Sequence, residues 1–232
     1  MASLTLLPEP PKNSPTVPLN DAPDLLLWAI LTNMTSPERM LRTGHGYNIL
    51  VSERGATIYT EEERALRGES VTLRPPRASD VEAVYSWDRD PELAAWNGRS
   101  PISVSLSAAR RDYLARWEDP GVKTFIIEAA GDPIGMATLY DFRQDGCELG
   151  IKIGPGNLRG RGYASEAVTL LLDYVFETLG LGAVRGSTLA HNDRMQRVFE
   201  KHGFAQIGDG SLLSRYDNRR YTELFYERRR DD

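Results

Sequence analysis

Apolar residues fall at helical spacing most clearly between Ala164 and Leu179. Ala164, Val168, Leu171, Leu172, Val175 and Leu179 share one face, and Gly180 follows as a C-terminal stop. A second helix is predicted from Leu106 to Trp117, with Leu106, Ala109, Tyr113, Leu114 and Trp117 on one side. "SVTLRPPRASD" reads as a strand through Val71 and Leu73 that stops at Pro75–Pro76, because proline cannot donate to a ladder. Ser79 with Glu82 matches a capping box, so a helix is expected near 80–88. "KTFIIEAA", a turn at Gly131–Asp132 and "PIGMATLYDF" form a hairpin, and "CELGIKI" adds a third strand. "AVRGSTLA" returns as a strand. "NDRMQRVFEKHGF" is a short helix closed by Gly203, and "AQIGDGSLLS" with "YTELFYERR" completes an antiparallel pair. The β–α–β passage over 148–190 among otherwise hairpin-linked strands predicts an α/β (α+β) fold, a mixed sheet covered by helices.

The first seventy residues differ in pattern. Residues 1–20 carry five prolines and few groups to bury, so a flexible arm is expected. Asp21 to Met40 reads as a helix with a break or restart at Ser36–Pro37. "YNILVSERGATIYTEEE" reads as a hairpin around Glu53–Arg54–Gly55. The organisation expected is an arm over 1–20, an accessory helix and hairpin element over 21–69, and a main domain over 70–232. The accessory element either adds packing or a homodimer contact, or shapes the substrate site.

Composition narrows the function classes. The 232 residues are 41% apolar and 26% charged, as in ordinary soluble proteins, with a net charge of −5. That balance argues against a surface built for a nucleic-acid backbone; the basic "ERRR" at 227–230 is short and followed by Asp231–Asp232. Cys147 is the single cysteine, so neither an intrachain disulfide nor a thiolate zinc cluster can form, and His45, His191 and His202 are scattered. No metal is expected, and Cys147 reads as a packed residue. The opening lacks a basic signal-peptide region, and the apolar "LLLWAIL" is too short to span a bilayer. A cytoplasmic protein without a membrane partner is the expectation.

The candidate chemistry lies in "GNLRGRGYASEA", residues 156–167. A Walker loop requires lysine then serine or threonine on entering the helix, but Tyr163 and Ala164 follow Gly162. A dinucleotide fingerprint requires a tight turn after the strand and an acidic residue about twenty positions on; six residues, Gly154 to Arg159, precede the glycines, and Leu181–Arg185 holds no acid. What remains is a row of main-chain N–H groups at 159–164 curling around an anion at a helix N-terminus, with glycines allowing close approach. The bland alternative is a tight solvent loop with solvated arginines.

The surroundings favour the anion. From about Val71 to Phe204 the chain resembles the GNAT superfamily of N-acetyltransferases, and within it the branch that acetylates ribosomal-protein N-termini. The resemblance is carried by "VTLRPPRASDVEAVYSWDRDPELAAW" and by "ELGIKIGPGNLRGRGYASEAVTLLLDYVFETLGLGAVRGSTLAHNDRMQRVFEKHGF". It implies a mostly antiparallel central sheet, splayed between its fourth and fifth strands and flanked by helices. It also implies that Arg159, Gly160, Arg161, Gly162, Tyr163 and Ala164 hold the pyrophosphate of acetyl-CoA. Ile151, Lys152 and Ile153 would run beside the pantetheine arm, whose amides replace missing ladder partners. Asn192 would touch that arm or cap the helix that follows, and Phe199 would stand at a coenzyme-side position. Glu166 sits where an acid suits the helix dipole.

The reaction so implied moves an acetyl group to an amine, of a small molecule or of a protein N-terminus. Glu148, at the start of the fourth strand, is the candidate base, directly or through water; a solvated edge residue or an ammonium anchor is the alternative. Amide groups near Ile151 would polarise the thioester carbonyl. Met195 and Phe199 stand where the family carries a serine and a tyrosine, and neither donates a useful proton; either the thiolate leaves unaided or through water, or another hydroxyl serves, with Tyr216, Tyr221 and Tyr226 in reserve. The competing class is therefore a non-catalytic acyl-CoA-binding or protein-interaction module. Asp88, Asp90, Glu92 and Trp96 either line an entry for a cationic amine or form a polar helix end.

Overall fold

A computed structural model describes residues 65–214 and 217–231 in full and, before them, the backbone of four strands. Those four are β1 (Thr16–Val17), β2 (Arg39–Arg42), β3 (Tyr47–Ser52) and β4 (Gly55–Thr60), ordered β1-β4-β3-β2. The hairpin expected around Glu53–Gly55 is present, with Tyr47 opposite Thr60 and Ser52 opposite Gly55. The helix expected over 21–40 lies outside the described residues except at its end, where Arg39 and Met40 belong to a strand instead, paired with Val51 and Leu50. The chain divides into two compact units, Met1–Ala65 and Leu66–Asp232.

In the second unit the strands are β5 (Leu66–Arg67), β6 (Thr72–Arg74), β7 (Lys123–Ala129), β8 (Asp132–Tyr140), β9 (Gly146–Ile153), β10 (Ala183–Leu189), β11 (Ala205–Leu213) and β12 (Arg220–Arg229). They form one sheet in the order β11-β12-β10-β9-β8-β7-β6-β5. Every neighbouring pair is antiparallel except β9 and β10, joined by the helical crossover read from the sequence. Helices cover both faces, as the layer rule requires. On one face lie α1 (Val81–Asp88), α2 (Pro91–Trp96) and α3 (Leu106–Trp117), packing Val84, Trp87, Leu93 and Trp117 against Ile126. On the other lie α4 (Tyr163–Asp173) and α5 (Asp193–Lys201), packing Val168, Leu171 and Phe199 among Phe125, Ile127, Leu139 and Leu149. Phe125, Ile126 and Ile127 thus alternate between two buried layers.

Two local readings are corrected. The start of α1 is closed not by Ser79 and Glu82 but by the buried Asp80, whose Oδ2 accepts from the Arg77 N–H at 2.6 Å. Asp80 serves because Arg74, itself 5% exposed, grips its other lone pairs at 2.7 and 2.8 Å. The helix expected over 164–179 ends as an α-helix at Asp173 and continues as a π-turn over Tyr174–Thr178. The stop at Gly180 is as expected, with φ +66°.

Candidate active site

The sheet opens between β9 and β10. Strand β9 pairs with β8 from Glu148 to Ile153, but with β10 only through Gly146, Cys147 and Glu148. Past Glu148 one edge of β9 therefore has no strand beside it among the described residues. The Gly154 N–H donates to the Ile134 carbonyl. Antiparallel alternation then turns the N–H and C=O of Leu149, Ile151 and Ile153 toward the gap, and those of Gly150 and Lys152 toward β8. Ile151 and Ile153 accordingly stand where an amide-bearing chain would add to the sheet. Lys152 does not: its backbone faces β8, and its ammonium pairs with Asp88 at the end of α1.

The gap leads to the mouth of α4. A 3₁₀ turn over Gly156–Leu158 brings the chain round, and Gly160 and Gly162 adopt φ of +78° and +93°. Glycine alone takes such angles without steric cost, and at both positions nothing among the described residues lies within 4 Å of where a Cβ would stand. Gly162 is the N-cap, and the first helical bond runs from the Glu166 N–H to its carbonyl. Helix geometry leaves the N–H groups of Tyr163, Ala164 and Ser165 without intrahelical partners. Of the N–H groups expected to form the cradle, that of Arg159 is spent on the Gly156 carbonyl at 3.2 Å, while those at the α4 mouth form a donor-rich end that fits a diphosphate.

Arg159 has another use. Its guanidinium is 4% exposed, pairs with Asp90 and with Glu92 at 2.9 Å, and donates to the Ile153 carbonyl at 3.1 Å and to that of Gly154. The Arg159 and Arg194 guanidinium carbons lie 5.3 and 5.0 Å from the centre of the Trp96 ring. Arg159 thus anchors the loop to α2 rather than offering its charge to a ligand. The same contacts neutralise Asp90 and Glu92, while Asp88 is held by Lys152 and by the Tyr113 hydroxyl at 2.7 Å. The acidic entry imagined for these residues is a structural clamp. The Arg159 hydrogen bond holds the Asp90 carboxyl below its ordinary 3.8, so the clamp persists above that value and is lost as pH falls through the lowered one. Gly154 belongs to the same clamp, since any Cβ there would meet the Trp87 ring.

Beside the mouth of α4 is a pocket of about 450 Å³ lined by Gly68, Ser70, Arg161, Gly162, Ser165 and Lys201. Glu166 shapes it, accepting from the N–H of Ser70 at 2.8 Å and of Val71 at 3.3 Å. Lys201 donates to Ser165 Oγ at 2.9 Å. Neither Gly68–Ser70 nor Lys201 carried a sequence signal, because only tertiary packing brings them to the helix mouth.

Glu148 occupies the last rung before the gap, opposite Tyr140 on β8 and Arg185 on β10. Burial raises its carboxyl pKa above the ordinary 4.5, opposed by the Arg143 charge. Cys147 is buried, and its thiol is pushed up to about 11 by burial, so it stays protonated and inert at neutral pH. Asn192 caps α5, its Oδ1 accepting from the Met195 N–H at 3.2 Å. Phe199 is misplaced by the sequence reading. It is 1% exposed, packed on Phe204 and Tyr226, and the Cβ of any larger residue at Gly186 would press on its ring. A ring so enclosed presents no surface to a coenzyme. Of the reserve hydroxyls, Tyr226 is 3% exposed beneath that ring, Tyr221 donates to Asp217, and Tyr216 lies outside the described residues.

Gly162→Trp and Gly162→Ala separate backbone strain from blockage. Each places an L-residue at φ +93°, costing roughly 1–2 kcal/mol of stability. Only the indole fills the cradle. Calorimetry is expected to show coenzyme affinity roughly tenfold lower in the Trp variant than in the Ala variant, about 1.4 kcal/mol; equal affinities would move the pyrophosphate elsewhere.

Among the described residues no helix is long and apolar enough to cross a membrane, and no three His, Cys, Asp or Glu are grouped to hold a metal. Residues 70–205 match the family described as Acetyltransferase (GNAT) domain. The chain is 26% identical over 169 residues to the protein named Uncharacterized N-acetyltransferase p20 of Bacillus licheniformis, covering 69% of this chain and 87% of that one. Its fold is similar to the spermidine N-acetyltransferase from Vibrio cholerae in complex with CoA and spermine, with TM-score 0.65, 19% identity, and 71% and 98% of the two chains covered. It is similar in equal measure to a ribosomal L7/L12 alpha-N-protein acetyltransferase in complex with coenzyme A, with TM-score 0.62, 14% identity, and 71% and 97% covered. Fold likeness therefore does not single out the ribosomal branch.

Proposed function

The chain belongs to the GNAT acetyltransferase family, and from that premise we propose that it is an acetyl-CoA-dependent N-acetyltransferase acting on a primary amine. The observation that carries the reading is the open edge of β9 from Leu149 to Ile153, running into the glycine-lined mouth of α4. Acetyl-CoA, when bound, supplies an activated thioester. The residues of this chain do the rest. Ile151, and Ile153 through its N–H because Arg159 holds its carbonyl, offer ladder groups to an amide-bearing arm. The amides of Tyr163, Ala164 and Ser165 hold a diphosphate, assisted by the helix dipole. An N–H on the open edge of β9 stands ready to stabilise negative charge on a carbonyl oxygen. Glu148 faces the α1–α3 side of the gap and accepts a proton from the amine, its raised pKa bringing it closer to the working pH.

The acceptor, a small amine or a protein N-terminus, approaches from the side carrying α1 and α3. The cytoplasmic setting and the possible homodimer read from the sequence complete the proposal. Thiol release from acetyl-CoA against peptides, amino acids and simple amines tests it: release above the amine-free rate is the expected result, and none with any amine would end it. A second reading, acyl-CoA binding without chemistry, is favoured by one observation, namely that Met195 and the buried Phe199 leave no proton donor at those positions. Coenzyme binding without turnover distinguishes it.

A further inference from the structure

The face of the sheet that carries Glu148 holds a second carboxylate bordering the same gap. Beyond the rung of Tyr140, Glu148 and Arg185, the next residues on that face are Gly150 on β9 and Ser187 on β10, one on each side of the opening. Gly150 presents no side chain, and the Tyr140 ring borders it, 3.6 Å from where a Cβ would stand. Ser187 is exposed and stands opposite Phe225 of β12. From two residues along β12, Glu223 reaches back, and Ser187 Oγ donates to its Oε1 at 2.6 Å. That bond fixes the Glu223 carboxylate over the β10 side of the opening, with Glu148 on the β9 side.

The electrostatics agree. The Tyr140 hydroxyl pKa is raised by burial and by Glu148, with Glu223 adding to the effect, while exposed Arg99 and Arg116 act against it. Two carboxylates facing one opening repel, and a cation between them relieves the repulsion. Arg143 and Arg185 act against the rise at Glu148, and Arg185 is itself paired with Asp145 and Glu227.

We propose that Glu223, oriented by Ser187, anchors the acceptor as an ammonium ion, its nitrogen over Gly150 and Ser187 between the carboxylates of Glu148 and Glu223. The acceptor class that follows is a cationic amine; an α-amino acid is disfavoured because its own carboxylate would meet Glu223. This assignment rests on the acyl-transfer reading, so the experiment has one arm that needs no turnover.

Glu223→Gln and Ser187→Ala are made in the full chain, with thermal unfolding checking that each is folded. In Glu223→Gln the KM for butylamine is expected to rise roughly tenfold with kcat within about threefold, and Ser187→Ala to shift KM the same way by roughly threefold. Butylamine binding, measured by calorimetry in the presence of coenzyme A and without an acetyl donor, falls by the same factors, and butylamine binds the wild type more tightly than glycine. Unchanged butylamine affinity in Glu223→Gln, or tighter binding of glycine, overturns the assignment. If the wild type releases no thiol with any amine, acyl transfer fails and calorimetry alone decides the anchor.

Discussion

Glu148→Gln is expected to lower turnover at saturating acetyl-CoA and amine by roughly 10²- to 10⁴-fold, the range for losing a general base, with coenzyme affinity unchanged. The separation follows from position. Glu148 is on the last paired rung of β9 and β10, while the coenzyme-holding groups begin past it, at Ile151 and Ile153, and at the α4 mouth. The pH profile gives a second signature. Because burial raises the Glu148 pKa, wild-type kcat is expected to rise with pH through that raised value, and Gln should erase this limb. A profile of the same shape in the variant removes Glu148 as the base. Stability moves the other way. From 4.5 up to the raised value the folded chain holds a proton that the unfolded chain has released, so rising pH removes stability there, and above the window the charged carboxylate remains a cost. Glu148→Gln should therefore unfold at the same or a higher temperature at neutral pH, as expected where function maintains a strained site.

Arg74→Met is expected to cause the largest loss of stability, roughly 3–5 kcal/mol, the cost of leaving buried charge uncompensated. Arg74 Nε donates to Glu128 at 2.6 Å, and its two terminal nitrogens hold both oxygens of Asp80, which is 3% exposed. The hydrogen bond to Asp80 leads the causes that raise the Arg74 pKa. Without the guanidinium, the Asp80 and Glu128 carboxylates lose their partner, and Asp80 is also the cap of the turn entering α1. Arg74→Lys keeps a charge but not the fork, so a smaller loss is expected. Chemical denaturation of the three proteins checks the order wild type, Lys, Met from most to least stable. A Met variant within about 1 kcal/mol of wild type would show that neighbouring groups compensate fully. Coenzyme affinity below the transition should not change, because the Arg74 side chain is held by Asp80 and Glu128 at the entry to α1 and not at the α4 mouth.

Periodicity determined much of this protein unaided. The order of the strands after residue 70 and of every helix but α2 (Pro91–Trp96), the β–α–β crossover and the glycine stop at 180 could be read because each depends on neighbours in the chain: apolar spacing, a turn residue, a cap. The glycine loop was legible for the same reason, since its φ angles and its place before a helix are local properties. The tertiary structure decided where side chains go. Arg159 looked like a ligand cation until Asp90, Glu92 and Trp96 were brought beside it, and Phe199 looked like a coenzyme contact until Phe204 and Tyr226 enclosed it. Ser79 matched a cap by spacing, yet Asp80 serves because Arg74 can neutralise it in the core. Glu223 is seventy-five positions from Glu148, and pairing through β10 and β12 sets them at one opening. Local spacing selects backbone conformation, whereas the partner of a charge is chosen by whichever group folding delivers within hydrogen-bond reach.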